Sequence, residues 1–174
     1  MISCFHRLKD IEIDLDNFME EQSLVLDFFS RHTLLESVKI QLWSSTFSTD
    51  SIGDLVNKLL DACPNLRSID MNQSSNWSST GLNRSTFYKL AQSSIRALKI
   101  NCGFHGIRHN VDVYNDSMKY LSFSRGGLIT ESHGSSSELN AFRQVCKTFR
   151  SLTHLRINHL PDAGLQCILY HLVS

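Results

Sequence analysis

The chain has 174 residues, 41% of them hydrophobic and ten of them Phe, enough to bury a substantial core in one domain expected to run over residues 1–174. Lys plus Arg and Asp plus Glu each total 17, so no net field draws the molecule to nucleic acid or to an anionic membrane surface, and neither is expected as a partner. Apolar runs of only a few residues fall far short of the roughly 20 that span a bilayer. Residues 1–10 also lack the apolar stretch and cleavage site of a secretory leader, so an intracellular location, cytoplasmic or nuclear, is expected.

Six segments repeat the pattern apolar-x-x-apolar-x-apolar, and each is predicted as a strand because its last two apolar positions are two residues apart. The first carries Leu8, Ile11 and Ile13, and helical spacing follows at Phe18, Leu24, Leu26, Phe28 and Phe29. The second carries Leu35, Val38 and Ile40. Its helix shows Ile52, Leu55, Val56, Leu59 and Leu60, with Asp50 or Ser51 as expected cap and Pro64 beyond its end. The third carries Leu66, Ile69 and Met71, followed by a Ser/Asn-rich loop over 72–83 around Trp77 and a helix over 87–91 with Ser85 as expected cap. After the fourth, with Ile95, Leu98 and Ile100, residues 102–116 contain Gly103 and Gly106 but no clear periodicity, so a helix there is expected to be short or missing. The fifth carries Met118, Leu121 and Phe123, with a helix expected from Leu139, Phe142, Val145, Cys146 and Phe149 and capped by Ser136 or Ser137. The sixth carries Leu152, Leu155 and Ile157, and a last helix is expected over 165–172.

Successive first positions are 27, 31, 29, 23 and 34 residues apart. A strand and helix of this size cannot bury their apolar faces alone, so the units are expected to stack and share a core. The fold class that follows is α/β, a right-handed horseshoe solenoid of about six strand-helix repeats with a parallel sheet on its concave face. A doubly wound α/β domain is the rival, but it favours continuously apolar strands and a Gly-rich phosphate loop. Here a polar residue separates the last two apolar positions every time.

Ala62-Cys63-Pro64-Asn65-Leu66-Arg67-Ser68-Ile69-Asp70 resembles the CPxLxxLxL junction of cysteine-containing leucine-rich repeats. Leu160-Pro161-Asp162-Ala163-Gly164-Leu165 resembles the helix start of the same repeats, and Ser48-Thr49-Asp50-Ser51-Ile52 is a weaker copy. Such repeats are best known from F-box leucine-rich-repeat proteins, so the resemblance implies a substrate-recognition part of a cullin-type ubiquitin ligase receptor; no F-box-like segment is seen. The family's Asn or Cys is replaced by Asp16, Trp43, Ser74, Gly103, Gly126 and Leu160, which makes the repeats degenerate.

Five cysteines, Cys4, Cys63, Cys102, Cys146 and Cys167, form an odd set without CxxC spacing, arguing against a disulfide framework and a zinc site and for small hydrophobes near element ends. The sequons at Asn72, Asn76, Asn83 and Asn115 are read as chance in a Ser- and Asn-rich chain. His105 with His109, and His154 with His159, lack a third ligand, and the glycines near 103–106 and 125–127 lack nucleotide-loop spacing. No catalytic, cofactor or metal site is expected.

The residues alternating with the buried ones should project from the concave face. Asp10, Glu12, Asp14, Lys39, Gln41, Asp70, Asn72, Lys99, Asn101, Tyr120, His154 and Arg156 are the candidate partner-binding set, with Ser37, Ser68, Ala97, Ser122, Ser124 and Asn158 completing the face. Three acids on the first strand against single bases on the fourth and sixth predict a polarised surface. A polypeptide whose basic portion meets the first strand is the expected partner, with Tyr120 as anchor. A structural scaffold subunit of a larger complex is the alternative. Neither end looks capped, as expected of a fragment of a longer array or of an end covered by another chain, and either version predicts self-association through the ends.

Overall fold

Alternating apolar and polar residues send their side chains to opposite sides of a strand. In the computed structural model, which describes residues 7–15, 18–43, 49–73, 81–104, 107, 113–124 and 143–158, all six repeated segments obey this within a six-stranded sheet. The elements in chain order are β1 (Asp10–Leu15), α1 (Phe18–Arg31), β2 (Ser37–Leu42), α2 (Thr49–Ala62), β3 (Ser68–Gln73), β4 (Gly81–Leu82), α3 (Arg84–Gln92), β5 (Ala97–Ile100), β6 (Gly103–Phe104), β7 (Tyr120–Ser124), a fourth helix α4 over residues 143–148, and β8 (His154–Asn158).

The sheet runs β1-β2-β3-β5-β7-β8, and every neighbouring pair is parallel. Spatial order therefore equals chain order. A doubly wound sheet reverses its strand order at a switch point, so that rival topology does not occur. One register runs across the whole sheet: Asp10, Ser37, Ser68, Ala97, Tyr120 and His154 lie side by side, and so do Glu12, Lys39, Asp70, Lys99, Ser122 and Arg156.

A repeated backbone contact holds that register. The carbonyl of Lys9 accepts from the N–H groups of Glu36 and Ser37 at 2.7 and 3.0 Å, and the carbonyl of Glu36 accepts from Arg67 and Ser68 at the same distances. Arg67, Arg96 and Lys119 repeat the arrangement for the three strands that follow. Each unit thus satisfies two amides of the next, in the manner that buried backbone groups demand.

The core lies on one side of the sheet. Val38, Ile40, Ile69, Leu98 and Leu121 from the strands form one cluster with Phe29 of α1, Leu55 and Leu59 of α2, Phe87 and Leu90 of α3, and Val145 of α4. Phe87 and Phe149 meet edge to face with ring centroids 5.7 Å apart, linking the third unit to the fifth. Gly53 lets α3 approach α2: a Cβ there would lie 3.0 Å from Thr86 Oγ1.

Several local expectations are corrected. Asp50 and Ser51 lie inside α2, which begins at Thr49, so neither caps it. Asn83, not Ser85, caps α3: its Oδ1 accepts from the Thr86 amide at 3.0 Å, while Ser85 Oγ donates to the same oxygen at 2.7 Å. The amide oxygen sits three residues before an unpaired helical N–H, where a capping acceptor is needed. The parallel pair of β4 and β6 was not foreseen, because two residues carry no periodicity. The described residues between 102 and 116 contain β6 and no helix. Of the helix expected around 139–149, residues 143–148 are helical; Leu139, Phe142, Ser136, Ser137 and the segment 165–172 lie outside the described residues.

Candidate functional site

The side of the sheet facing away from the helices holds the candidate residues. Asp10, Glu12, Asp14, His154 and Arg156 are exposed there, and Lys39, Gln41, Asp70, Asn72, Lys99, Asn101 and Tyr120 are half-buried. All twelve therefore lie on one surface, as strand alternation requires. Ser122 is the exception to the expected face: it shares a row with Lys99 and Arg156 yet is only 3% exposed. A short side chain between two long ones lies at the bottom of the row and presents little to a ligand. Ser124 falls in β7 by register, opposite Asn158.

The charges on this face are not distributed as their positions in the chain suggest. Lys39 Nζ donates to Glu12 across neighbouring strands, and Lys99 Nζ donates to Asp70 Oδ2 at 2.9 Å. Hydrogen bonding to Glu12 holds the Lys39 ammonium above its ordinary pKa. The row thus reads acid, base, acid, base across four strands, with its charges paired. The expected block of three acids shrinks to Asp10 and Asp14, which form no ion pair among the described residues. At the other end Arg156 Nε donates to Asn158 Oδ1 at 3.3 Å.

Two further features mark the face. Asn101 Nδ2 donates to Asn72 Oδ1 from the adjacent strand, which aligns two amides along one row. Tyr120 is not isolated: its ring lies 6.2 Å from that of His154, tilted by 33°, and His154 Nδ1 is 3.0 Å from Thr153 Oγ1. Asp70 keeps its second oxygen, Oδ1, buried without a hydrogen bond, a cost that a surrounding ion pair only partly offsets. Near the C-terminal ends of β2, β3 and β5, Leu42, Ile52, Met71, Ile100 and Cys102 line a cleft of about 230 Å³ including open space, with Asn72 and Asn101 at its edge.

At the rim of the sheet, Lys9 Nζ donates to Glu36 Oε1 at 2.5 Å. This bond holds the Glu36 carboxyl below its ordinary range and the Lys9 ammonium above its own.

The cysteines sit where a small hydrophobe packs. Cys63 is buried with Sγ 3.7 Å from the Phe29 carbonyl, and burial pushes its thiol up. Burial pushes the Cys102 thiol up to about 12. Both stay protonated at neutral pH and are poor nucleophiles. Cys4 and Cys167 lie outside the described residues, as do His105, His109, His159 and Trp77. Among the described residues no group of three or more His, Cys, Asp or Glu is placed to hold a metal ion.

The residue most clearly missed by sequence reasoning is Asn115, read only as part of a sequon. It is buried, and its Nδ2 donates to the carbonyls of Leu90 and Ser93 at 3.0 and 2.9 Å. Its Oδ1 accepts from the amides of Ser117 and Met118, both at 2.8 Å. It ties the end of α3 to the approach of β7. Its Nδ2 is thus committed, whereas Asn72 and Asn83 accept hydrogen bonds through Oδ1, and Asn76 lies outside the described residues. Asn-Asp-Ser at 115–117 was the available signal, since Asn and Ser before a strand favour local turns.

No family model, curated protein or solved structure matches the chain. Among the described residues no helix is long and apolar enough to cross a membrane.

Proposed function

We propose that this chain is a leucine-rich-repeat recognition module, a horseshoe solenoid whose open sheet face binds another protein, without catalysis of its own. The observation that carries this reading is the one-way parallel sheet with helices on one side and twelve candidate side chains on the other. A surface of that kind, rigid in backbone and varied in side chain, suits recognition of an extended polypeptide. The recurring carbonyl contact from Lys9 to Lys119 supports equivalent stacked units. Resemblance of residues 62–70 to cysteine-containing repeats adds the narrower proposal of a ubiquitin-ligase substrate receptor. Cys63 and Cys102, both buried and unbridged, suit a reducing intracellular location.

Affinity purification of the full-length protein with mass spectrometry tests the reading. A partner bound by the open face should be lost with Tyr120→Ala, by about tenfold or more in affinity if Tyr120 is an anchor. It should be retained with Lys58→Glu, on the exposed side of α2. Equal retention by both variants would refute open-face binding. Co-purification of a cullin adaptor would support the receptor form.

A permanent scaffold subunit is the second reading, favoured by the half-exposed apolar residues of β1 and β8. It requires a partner at constant stoichiometry in every preparation, whereas a receptor exchanges its substrates.

A further inference from the structure

We infer that the chain associates head to tail, β8 of one copy pairing with β1 of a second copy to continue the parallel sheet. This contact uses the sheet edges rather than the open face, so it stands apart from the recognition role proposed above.

Backbone, apolar and charged groups all fit. Because one register runs from β1 to β8, His154 occupies on β8 the place that Asp10 occupies on β1. A seventh strand added by the same step brings Ile11 beside Leu155 and Ile13 beside Ile157 on the helix side. All four are only partly buried, unlike their counterparts on the inner strands. On the open side the step brings Glu12 beside Arg156, Asp10 beside His154 and Asp14 beside Asn158. The Thr153 carbonyl takes the position that accepts two amides in every preceding unit, facing the Lys9 and Asp10 N–H groups of the second copy. Among the described residues no strand pairs with the outer edge of β1 or of β8, and such an edge is a template for addition.

Charge selects the partner end. Residues 1–70 hold twelve of the seventeen acids and six of the seventeen Lys and Arg, while residues 71–174 hold five and eleven. A neutral chain is therefore acidic in the part that supplies β1 and basic in the part that supplies β8. Pairing β1 with β1 would set Asp10 and Asp14, which form no ion pair among the described residues, against acids of the same kind, and pairing β8 with β8 would face Arg156 with itself. Only the heterologous contact matches opposite charges, and such a contact propagates unless its rotation closes a ring. With five or six residue pairs it is narrow, so association is expected at the weak end, with dissociation constants of roughly 10 µM or above.

Sedimentation velocity of the full chain over about 10 to 500 µM, bracketing that weak range, tests the proposal. The mean sedimentation coefficient should rise with concentration past the dimer value and fall back at high salt. Arg156→Glu and Glu12→Arg should each give a monomer. In an equimolar mixture both kinds of junction between the two variants again carry opposite charges at this position, one native and one reversed, so association past the dimer should return. Circular dichroism establishes that each variant is folded; should Arg156→Glu fail to fold, Leu155→Lys takes its place at the β8 edge. A wild-type chain monomeric throughout, a plateau at a closed dimer, or a mixture of folded variants that stays monomeric would each overturn the inference.

Discussion

Four inner strands and two outer strands of the same sheet carry the same pattern but meet different surroundings. Val38, Ile40, Ile69, Met71, Leu98, Ile100, Leu121 and Phe123 on β2, β3, β5 and β7 are at most 3% exposed. Ile11 and Ile13 on β1, and Leu155 and Ile157 on β8, are only partly buried. The apolar side chains are of similar size, so the difference comes from neighbours. An inner strand is flanked on both sides, an outer one on a single side among the described residues. Burial here is a property of the stack and not of the unit, which is why one strand and helix of this chain is not expected to fold in isolation.

Replacing a central and an outer side chain gives the most direct way to break that comparison. Leu98→Ala should lower the unfolding free energy by about 3 kcal/mol, because the cavity is walled on every side, and Ile13→Ala by about 1 kcal/mol. Urea titrations of both variants read the difference; equal losses would mean that the outer strands are as well enclosed as the inner ones. Next in size, Asn115→Ala orphans two carbonyls and two amides at an inner junction and should cost about 2 kcal/mol by the same measurement. Removing the α3 cap with Asn83→Ala should cost about 1 kcal/mol, sharpening the contrast between a helix end satisfied locally and one satisfied by the next unit.

Smallest of all is the rim pair of Lys9 and Glu36, both exposed to solvent. The Glu36 carboxyl is held below its ordinary 4.5, so its contribution is present above pH 4.5 and lost as pH falls through the lowered value. The Lys9 ammonium is held above its ordinary 10.5, so its contribution is present below pH 10.5 and lost as pH rises through the raised value. Between those limits Glu36→Gln should leave the urea midpoint almost unchanged, as surface pairs do. A clear loss of stability would show that the outer strand depends on its charges.

Strand positions, their parity and the three helices up to residue 92 were legible because each rests on periodicity within a few residues. Asn83 and Asn115 were not, since a capping or bridging amide is recognised by the backbone groups it meets, and those lie up to 25 residues away. The polarity of the open face was overread for the same reason. Glu12 and Asp70 count as free acids along the chain, but Lys39 and Lys99 reach them from strands 27 and 29 residues later.

The sequence by itself determined which residues turn inward and which turn outward, because strand alternation is set by local backbone geometry. Tertiary structure alone decided which outward charges cancel, which polar side chains become internal ties, and how thoroughly each apolar position is enclosed. Those outcomes depend on register between strands roughly thirty residues apart, and register is created only when the units pack against one another.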